Sequence, residues 1–206
     1  MVARTYGGVA PEQRRAERRQ RLLTAALELF TTTGFRQAKI TGLCALAGVS
    51  TRNFYEEFTG KEDVLRTLHD RINSLALEHV TAALDQVAGA DAFTRISTLL
   101  DVFIATVTAD PRMPRLNYVE AVGVSAELEK QHQEWVDRWA TFIENEARHA
   151  AEHGAAPVRN YRLTAIALVG AATGLLREWQ AHDPPLLVED VAAELRALML
   201  AAITRP

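Results

Sequence analysis

Thr51, Arg52 and Asn53 stand side by side directly after Ser50, and three adjacent polar side chains opening a short helix suit the reading of base edges rather than bond making. Arginine pairs with guanine and asparagine with adenine, each through two hydrogen bonds. Ser50, Tyr55 and Lys61 flank the trio and are candidates for phosphate contacts, and Lys39 and Thr41 complete the set on the preceding helix. Upstream, Arg14, Arg15, Arg18, Arg19 and Arg21 cluster at the start of the first helix, with Arg14/Arg18 and Arg15/Arg19 one turn apart. Arg14 and Arg18 read as phosphate ligands. A solvated basic arm is the other reading of this run, and the sequence leaves both open.

Two other patterns could support metal chemistry. His149-Ala150-Ala151-Glu152-His153 matches the H-x-x-E-H signature of inverted zinc peptidases, in which two histidines at i and i+4 share a metal and the glutamate acts as base. Here it ends a helix just before Gly154, where the helix dipole favours histidine anyway, and no companion peptidase feature surrounds it. Glu129-x-x-His132 and Glu146-x-x-His149 echo the di-iron carboxylate motif. Both lie on one helix, about 25 Å apart at 1.5 Å per residue, and cannot meet within one chain. No enzymatic activity, metal or cofactor is therefore expected. Cys44, the single cysteine, excludes an intrachain disulfide and reads as a small buried hydrophobe.

The polar trio needs a scaffold, and residues 43–58 provide one. Leu43, Leu46 and Ala47 give the first helix of a pair an inward face, and Phe54 and Phe58 do so for the second. Gly48 sits where the turn needs a positive φ, Val49 plugs the corner, and Ser50 caps the second helix. This is a helix-turn-helix, whose second helix enters the DNA major groove with its N-terminal residues on the bases.

Leu29-Phe30, Gly34-Phe35, Ala47-Gly48-Val49-Ser50, Phe54-Tyr55, Phe58 and Lys61-Glu62 fall in the order and spacing of the tetracycline-repressor (TetR) family, which this chain resembles over about residues 13–66. The resemblance implies a homodimeric repressor with a three-helix DNA-binding head, a divergent helical body that binds a small molecule, and release from a palindromic operator when that ligand binds. Two departures keep the operator sequence from being carried over. Lys39 stands where the family more often has a serine or threonine cap, and Thr51-Arg52 where many members have a basic residue then glycine.

The expected fold is all-α, with about nine helices, because no stretch alternates as a strand and helix stops recur at Gly34, Gly48, Gly60, Gly89, Pro111, Gly154 and Pro184-Pro185. Residues 1–12 read as an N-terminal arm, 13–60 as the helix-turn-helix domain and 61–206 as a ligand-binding and dimerisation domain. The first helix is predicted over Glu12–Thr33. The fourth opens with a capping box between Thr59 and Glu62 and continues to about Val87, long enough to join head and body. A ligand in the body would tilt this helix and change the spacing of two heads set for half-sites one turn apart, about 34–36 Å.

In the body, Phe93, Ile96, Leu100, Phe103 and Val107 mark a fifth helix, a sixth spans about Arg112–Val124, and Ser125 caps a seventh. Along the seventh, Leu128, His132, Trp135, Trp139 and Phe142 form one stripe, which reads either as plain core or as the wall of an aromatic pocket for a largely apolar small molecule. Tyr118 and Phe103 are its expected companions. The eighth helix is rich in small residues, including Ala165, Ala167, Gly170, Ala171 and Gly174. With Val191, Leu195 and Leu198 of the ninth it reads as a dimer surface, an intramolecular core being the alternative.

Composition agrees with a DNA-binding head. The chain of 206 residues is 48% hydrophobic with a formal charge of −3. Up to Arg66 there are eleven Lys or Arg against seven Asp or Glu, a net of +4; the remainder holds twelve against nineteen, a net of −7. The longest uncharged run, Leu163–Leu176, is too short to span a bilayer, and no apolar segment follows the N-terminal arginines, so a cytoplasmic protein without membrane contact is expected.

Overall fold

The computed structural model describes residues 11–183 and 186–205; the N-terminal arm up to residue 10 and the Pro184-Pro185 helix stop lie outside the described residues. Among those described are nine α-helices and no strand. The chain divides into two compact units, residues 1–68 and 69–206, with the boundary inside the fourth helix.

The first unit contains α1 (Pro11–Leu29), α2 (Ile40–Ala47), α3 (Thr51–Tyr55) and the start of α4 (Lys61–Gln86). From Phe30 to Gly34 α1 widens into a π-turn, so the regular helix ends earlier than the sequence suggests. Thr31 and Thr32 donate their hydroxyls to the carbonyls of Leu27 and Glu28 there, the back-bonding by which such residues loosen a helix. Leu22, Ala26, Phe30, Leu43, Phe54, Phe58, Val64 and Leu65 make the core. Leu46 is not among them: it lies 55% exposed, on the outer side of α2.

The turn of the helix pair forms as its residues dictate. Gly48 adopts φ 62°, its amide donates to the Ala45 carbonyl, and the Val49 amide donates to that of Cys44, closing α2. The Ser50 hydroxyl accepts from the Asn53 amide at 3.2 Å and so caps α3. At the start of α4 the cap differs from the expected reciprocal box, since both of its bonds run from Thr59 to one acidic side chain. The Asp63 carboxylate, not that of Glu62, accepts from the Thr59 amide at 3.0 Å and from its hydroxyl at 3.3 Å. Gly60 is the residue at the helix edge, which places Asp63 at the third helical position, where a box carboxylate belongs.

The second unit comprises the rest of α4 with α5 (Ala92–Thr108), α6 (Arg112–Arg115), α7 (Ala126–Glu152), α8 (Arg162–Ala181) and α9 (Val188–Thr204). The predicted sixth helix is one α-turn followed by a wide turn over Leu116–Glu120. Asp91 and Ser125 cap α5 and α7 through the amides of Thr94 and Leu128. α8 packs on α7 and α9, and α9 on α5. A half-buried pair ties α5 to α7: Arg95 donates to both oxygens of Glu146 at 2.7–2.9 Å and reaches the carbonyls of Leu84 and Val87 at the end of α4.

Phe93 departs from its expected place in the core and is 60% exposed, since it falls in the first turn of α5 beyond the packed stripe. α8 is also less buried than its uncharged run suggests: Ala165, Leu168 and Leu176 face inward, whereas Leu163 and Ile166 are exposed. Among the described residues no single helix is long and apolar enough to cross a membrane.

Gly48→Ala tests the turn. The site has room for the added carbon, with no atom within 4 Å, so the only penalty is the left-handed backbone, about 1–2 kcal/mol. Thermal unfolding should report a lowered melting temperature of the head, and an unchanged one would contradict the assigned conformation.

Candidate functional site

α3 is only five residues long and cannot hold itself folded, so what fixes it decides whether its side chains can read anything. Its core-side anchors are Phe54 and, just beyond the helix, Phe58, both buried. Its second anchor is electrostatic. The Glu57 side chain is 1% exposed, and its carboxylate accepts from Arg15 at 3.1 Å and from Arg18 at 2.6 and 3.2 Å. Arg19 completes the arrangement, donating to the Glu57 carbonyl at 2.8 Å with its guanidinium over the Phe58 ring. Burial alone would push the Glu57 carboxyl up, but the hydrogen bonds and charges of Arg18 and Arg15 outweigh it and hold the group below its ordinary range.

The tie turns the recognition surface outward. Arg52 is 90% exposed in its side chain, with Glu56 at 3.8 Å. Ser50, Thr51 and Tyr55 are exposed, as are Lys39 and Thr41 at the start of α2. Asn53 is half-buried and lines an open cleft with Arg14, Arg18 and Arg21 of α1, which brings the basic cluster beside the trio. Of the two acidic residues of this segment, Glu57 faces inward, while Glu56 stays at the surface within reach of Arg18 and Arg52. Cys44 is buried beneath this surface; burial pushes its thiol up, against a hydrogen bond with Thr51.

Lys61, expected on phosphate, is engaged elsewhere. Its ammonium donates to the carbonyls of Phe35, Arg36 and Ala38 at 2.8–3.1 Å, close to the Phe35 ring. Three donors meet three acceptors, so its hydrogen-bonding capacity is spent on the connection between α1 and α2. Arg18 is likewise largely committed to Glu57, which the sequence could not reveal because its partner lies 39 residues away.

The second unit contains a mostly apolar cavity of about 60 Å³. Of the expected lining residues, Phe103, Tyr118, His132, Trp135 and Trp139 are present. Phe142 is not: it sits behind Trp139, ring centroids 6.1 Å apart, and supports the wall instead of forming it. The walls continue in Leu99, Leu168 and Met199. One group of polar residues escaped the sequence reading. Asn73 donates to the His69 carbonyl at 2.9 Å and to the Asn117 side chain at 3.3 Å, and accepts from the Trp139 indole at 3.4 Å. His69 lies 5.9 Å from His132, ring to ring, and burial, with His132 second, pushes it down to about 4. Tyr118, fully enclosed, is pushed up to about 12.

The residues expected at a dimer surface separate into two groups. Val191 and Leu195 are buried in the core of the second unit, and Leu195 lines the cavity. Ala167, Gly170, Gly174 and Leu198 are exposed and Ala171 is half-buried. The helical period assigned the faces of α9 but not which face meets its own chain. His149 and His153 stack at 4.2 Å, with the His153 Nδ1 on the His149 carbonyl, and no group of three or more metal-ligating side chains is found among the described residues.

Two outcomes test this geometry. Lys61→Ala should lower the melting temperature of the head and leave the salt dependence of DNA binding nearly unchanged; a salt slope shallower by about one unit would return Lys61 to phosphate. Glu57→Gln should destabilise the head by about 1–3 kcal/mol at neutral pH. Because the folded-state value is lowered, the wild-type advantage is full above the ordinary 4.5 and fades as pH falls through the folded value. Melts of both proteins between pH 3 and 7 should converge at the acid end.

Residues 22–68 match the sequence profile of the bacterial regulatory proteins of the tetR family. The chain is 28% identical over 167 residues to the HTH-type transcriptional regulator SrpR of Pseudomonas putida, covering 79% of this chain and 75% of that one. It is 26% identical over 177 residues to the HTH-type transcriptional activator FasR of Mycolicibacterium smegmatis, covering 84% and 76%. Its fold superposes on the transcriptional regulator FadR of Bacillus subtilis in complex with stearoyl-CoA with a TM-score of 0.74 at 16% identity, covering 90% and 97%. With Thr51 and Arg52 exposed on an anchored helix-turn-helix and this profile across it, residues 22–68 are a DNA-binding domain of the tetR-family type, and the chain as a whole is similar to HTH-type transcriptional regulators.

Proposed function

We propose that the chain is a ligand-responsive repressor that binds a palindromic operator as a homodimer and is released by a small, largely apolar molecule held in the cavity of residues 69–206. The observation that carries this reading is the pairing, in one chain, of the surface residues Thr51 and Arg52, with Asn53 beside them at a basic cleft, and a mostly apolar cavity walled by aromatic side chains. Arg52 and Asn53 read bases, with Thr51 at or near them. Ser50, Tyr55, Lys39, Thr41 and the α1 arginines, Arg14 foremost, neutralise phosphates. The stearoyl-CoA bound by the Bacillus subtilis regulator supports a ligand with a long apolar part, without naming it.

α4 contributes residues to both units, Lys61–Leu68 to one and His69–Gln86 to the other, so a ligand that presses on His69 or Asn73 acts on the helix that carries the head. The proposed dimer surface is the outward face of α8 with Leu198 of α9. A cytoplasmic location accords with this role, and the reading involves no catalysis.

Selection of duplexes from a random pool at about 0.15 M salt tests the reading. Enrichment of a palindrome is expected, and failure to enrich any sequence would contradict it. Against the selected operator, Arg52→Ala should cost about 1–3 kcal/mol and relax preference at one position per half-site; a uniform loss over all sequences would remove Arg52 from the bases. Gly170→Leu separates dimer from core. Gly170 is exposed and a Cβ added there meets no atom within 4 Å in the single chain, so the monomer fold should keep its stability. Sedimentation should then show a weakened dimer; an unaltered dimer would move the interface away from α8.

A further inference from the structure

The cavity has a chemical bias that its size and apolar character do not convey. None of the eighteen residues lining it is Asp, Glu, Lys or Arg. Its polar lining consists of His69, Asn73, Asn117, Tyr118, His132 and Thr173, and the hydrogen bonds through Asn73 join His69, Asn117 and Trp139 into one cluster. The indole N–H groups of the two tryptophans are already taken, by Asp70 at 3.1 Å and by Asn73, so both rings offer a ligand only their apolar surfaces. An ion entering here would lose its water and gain no opposite charge, a heavy penalty in an apolar enclosure.

His69 fixes what kind of neutral group is wanted. The Gln131 side-chain nitrogen lies 3.3 Å from His69 Nδ1, and an amide nitrogen has only hydrogens to give. Nδ1 therefore accepts, and the single proton of the neutral imidazole is on Nε2, leaving a donor for an oxygen lone pair. A quaternary ammonium could in principle seat on the aromatic walls, but Trp135 already has the Arg138 guanidinium 4.6 Å from its ring centre, and a second positive charge on that ring is opposed.

We propose that the effector is an uncharged molecule with an apolar body and one hydrogen-bond-accepting head, a carbonyl, ether or hydroxyl oxygen, seated against His69 in the polar cluster. The inference rests on the cavity being the effector site. It makes the cavity a filter for charge as well as size: an ester, amide or ketone enters, and the acid or amine of the same skeleton is refused.

The test uses the full chain and matched probes of three skeletons at pH 7.5, followed by tryptophan fluorescence and calorimetry. The linear set is decanamide, decanoate and decyltrimethylammonium. The bicyclic set is 2-acetylnaphthalene, 2-naphthoate and 2-naphthylmethylammonium, with naphthalene as the headless reference. The single-ring set is 4-phenylbutanamide, 4-phenylbutyrate and 4-phenylbutylammonium. The neutral member should bind at least tenfold more tightly than either charged member in every set that binds. His69→Phe should erase the preference for acetylnaphthalene over naphthalene, and His69→Gln, which keeps a donor, should retain part of it. Binding of a charged member equal to or tighter than its neutral partner overturns the inference and leaves the effector cavity standing. Silence of all three sets overturns both. The head-group comparison uses wild-type protein, so the test stands even where a His69 variant fails to fold.

Discussion

A buried carboxylate holds the DNA-reading surface in place. Glu57 sits just beyond a five-residue helix that has too few hydrogen bonds to persist alone, and the partners of its carboxylate lie far away in sequence. Arg15, Arg18 and Arg19 come from α1, some forty residues earlier, and between them bind its side chain and its carbonyl. A buried charge pair is costly to assemble and much more costly to break, so it serves orientation better than net stability. Here it fixes which side of α3 faces out. Arg52 is left at the surface, as the proposed base contact requires, because other arginines keep the helix in register. The same arrangement explains two acidic residues beside a surface meant for phosphate: one is neutralised inside, the other stands among cations.

The second unit solves a different problem, that of leaving a hollow in a protein interior without collapse. Large rigid side chains do this well, since Trp139 is braced by Phe103 and Phe142 at edge-on angles and by an indole bond to Asn73. The Arg95–Glu146 pair locks α5 to α7 away from the cavity and also closes the end of α4. Hollow and polar cluster depend on α4 residues His69 and Asn73, and the head is built on the first two turns of the same helix. Under the proposed function a ligand and an operator would act on one element, which is the minimum that coupling between two sites requires.

Much of the head was legible in the sequence because its rules are local. A glycine with positive φ, a serine cap and apolar spacing of three to four residues specify the helix pair, and Gly48, Ser50, Phe54 and Phe58 all take the places that logic gives them. What failed to show was nonlocal. Nothing near Lys61 announces that its ammonium will meet three carbonyls of residues 35–38, and nothing near Glu57 announces its arginines. The cap of α4 falls one residue beyond the expected Glu62, because Glu62 and Asp63 are equivalent by type and only the helix edge at Gly60 decides between them. In the body, period alone sorted residues onto faces but could not say which face would be covered by the chain itself; Val191 and Leu195 turned inward and Leu198 outward. His69, Asn73 and Asn117 carried no pattern at all, since they meet only when α4 and the turn after α6 are packed.

The most direct test of the account is a double-mutant cycle on Glu57→Gln and Arg18→Ala, read as affinity for the selected operator and as thermal stability in parallel. If the carboxylate orients the recognition helix through Arg18, the two changes are strongly non-additive, with a coupling of about 1 kcal/mol or more in both readouts. Additive losses, or a coupling in stability with none in operator binding, would mean that the reading surface is held by its aromatic anchors alone and that the buried carboxylate is not what the head depends on.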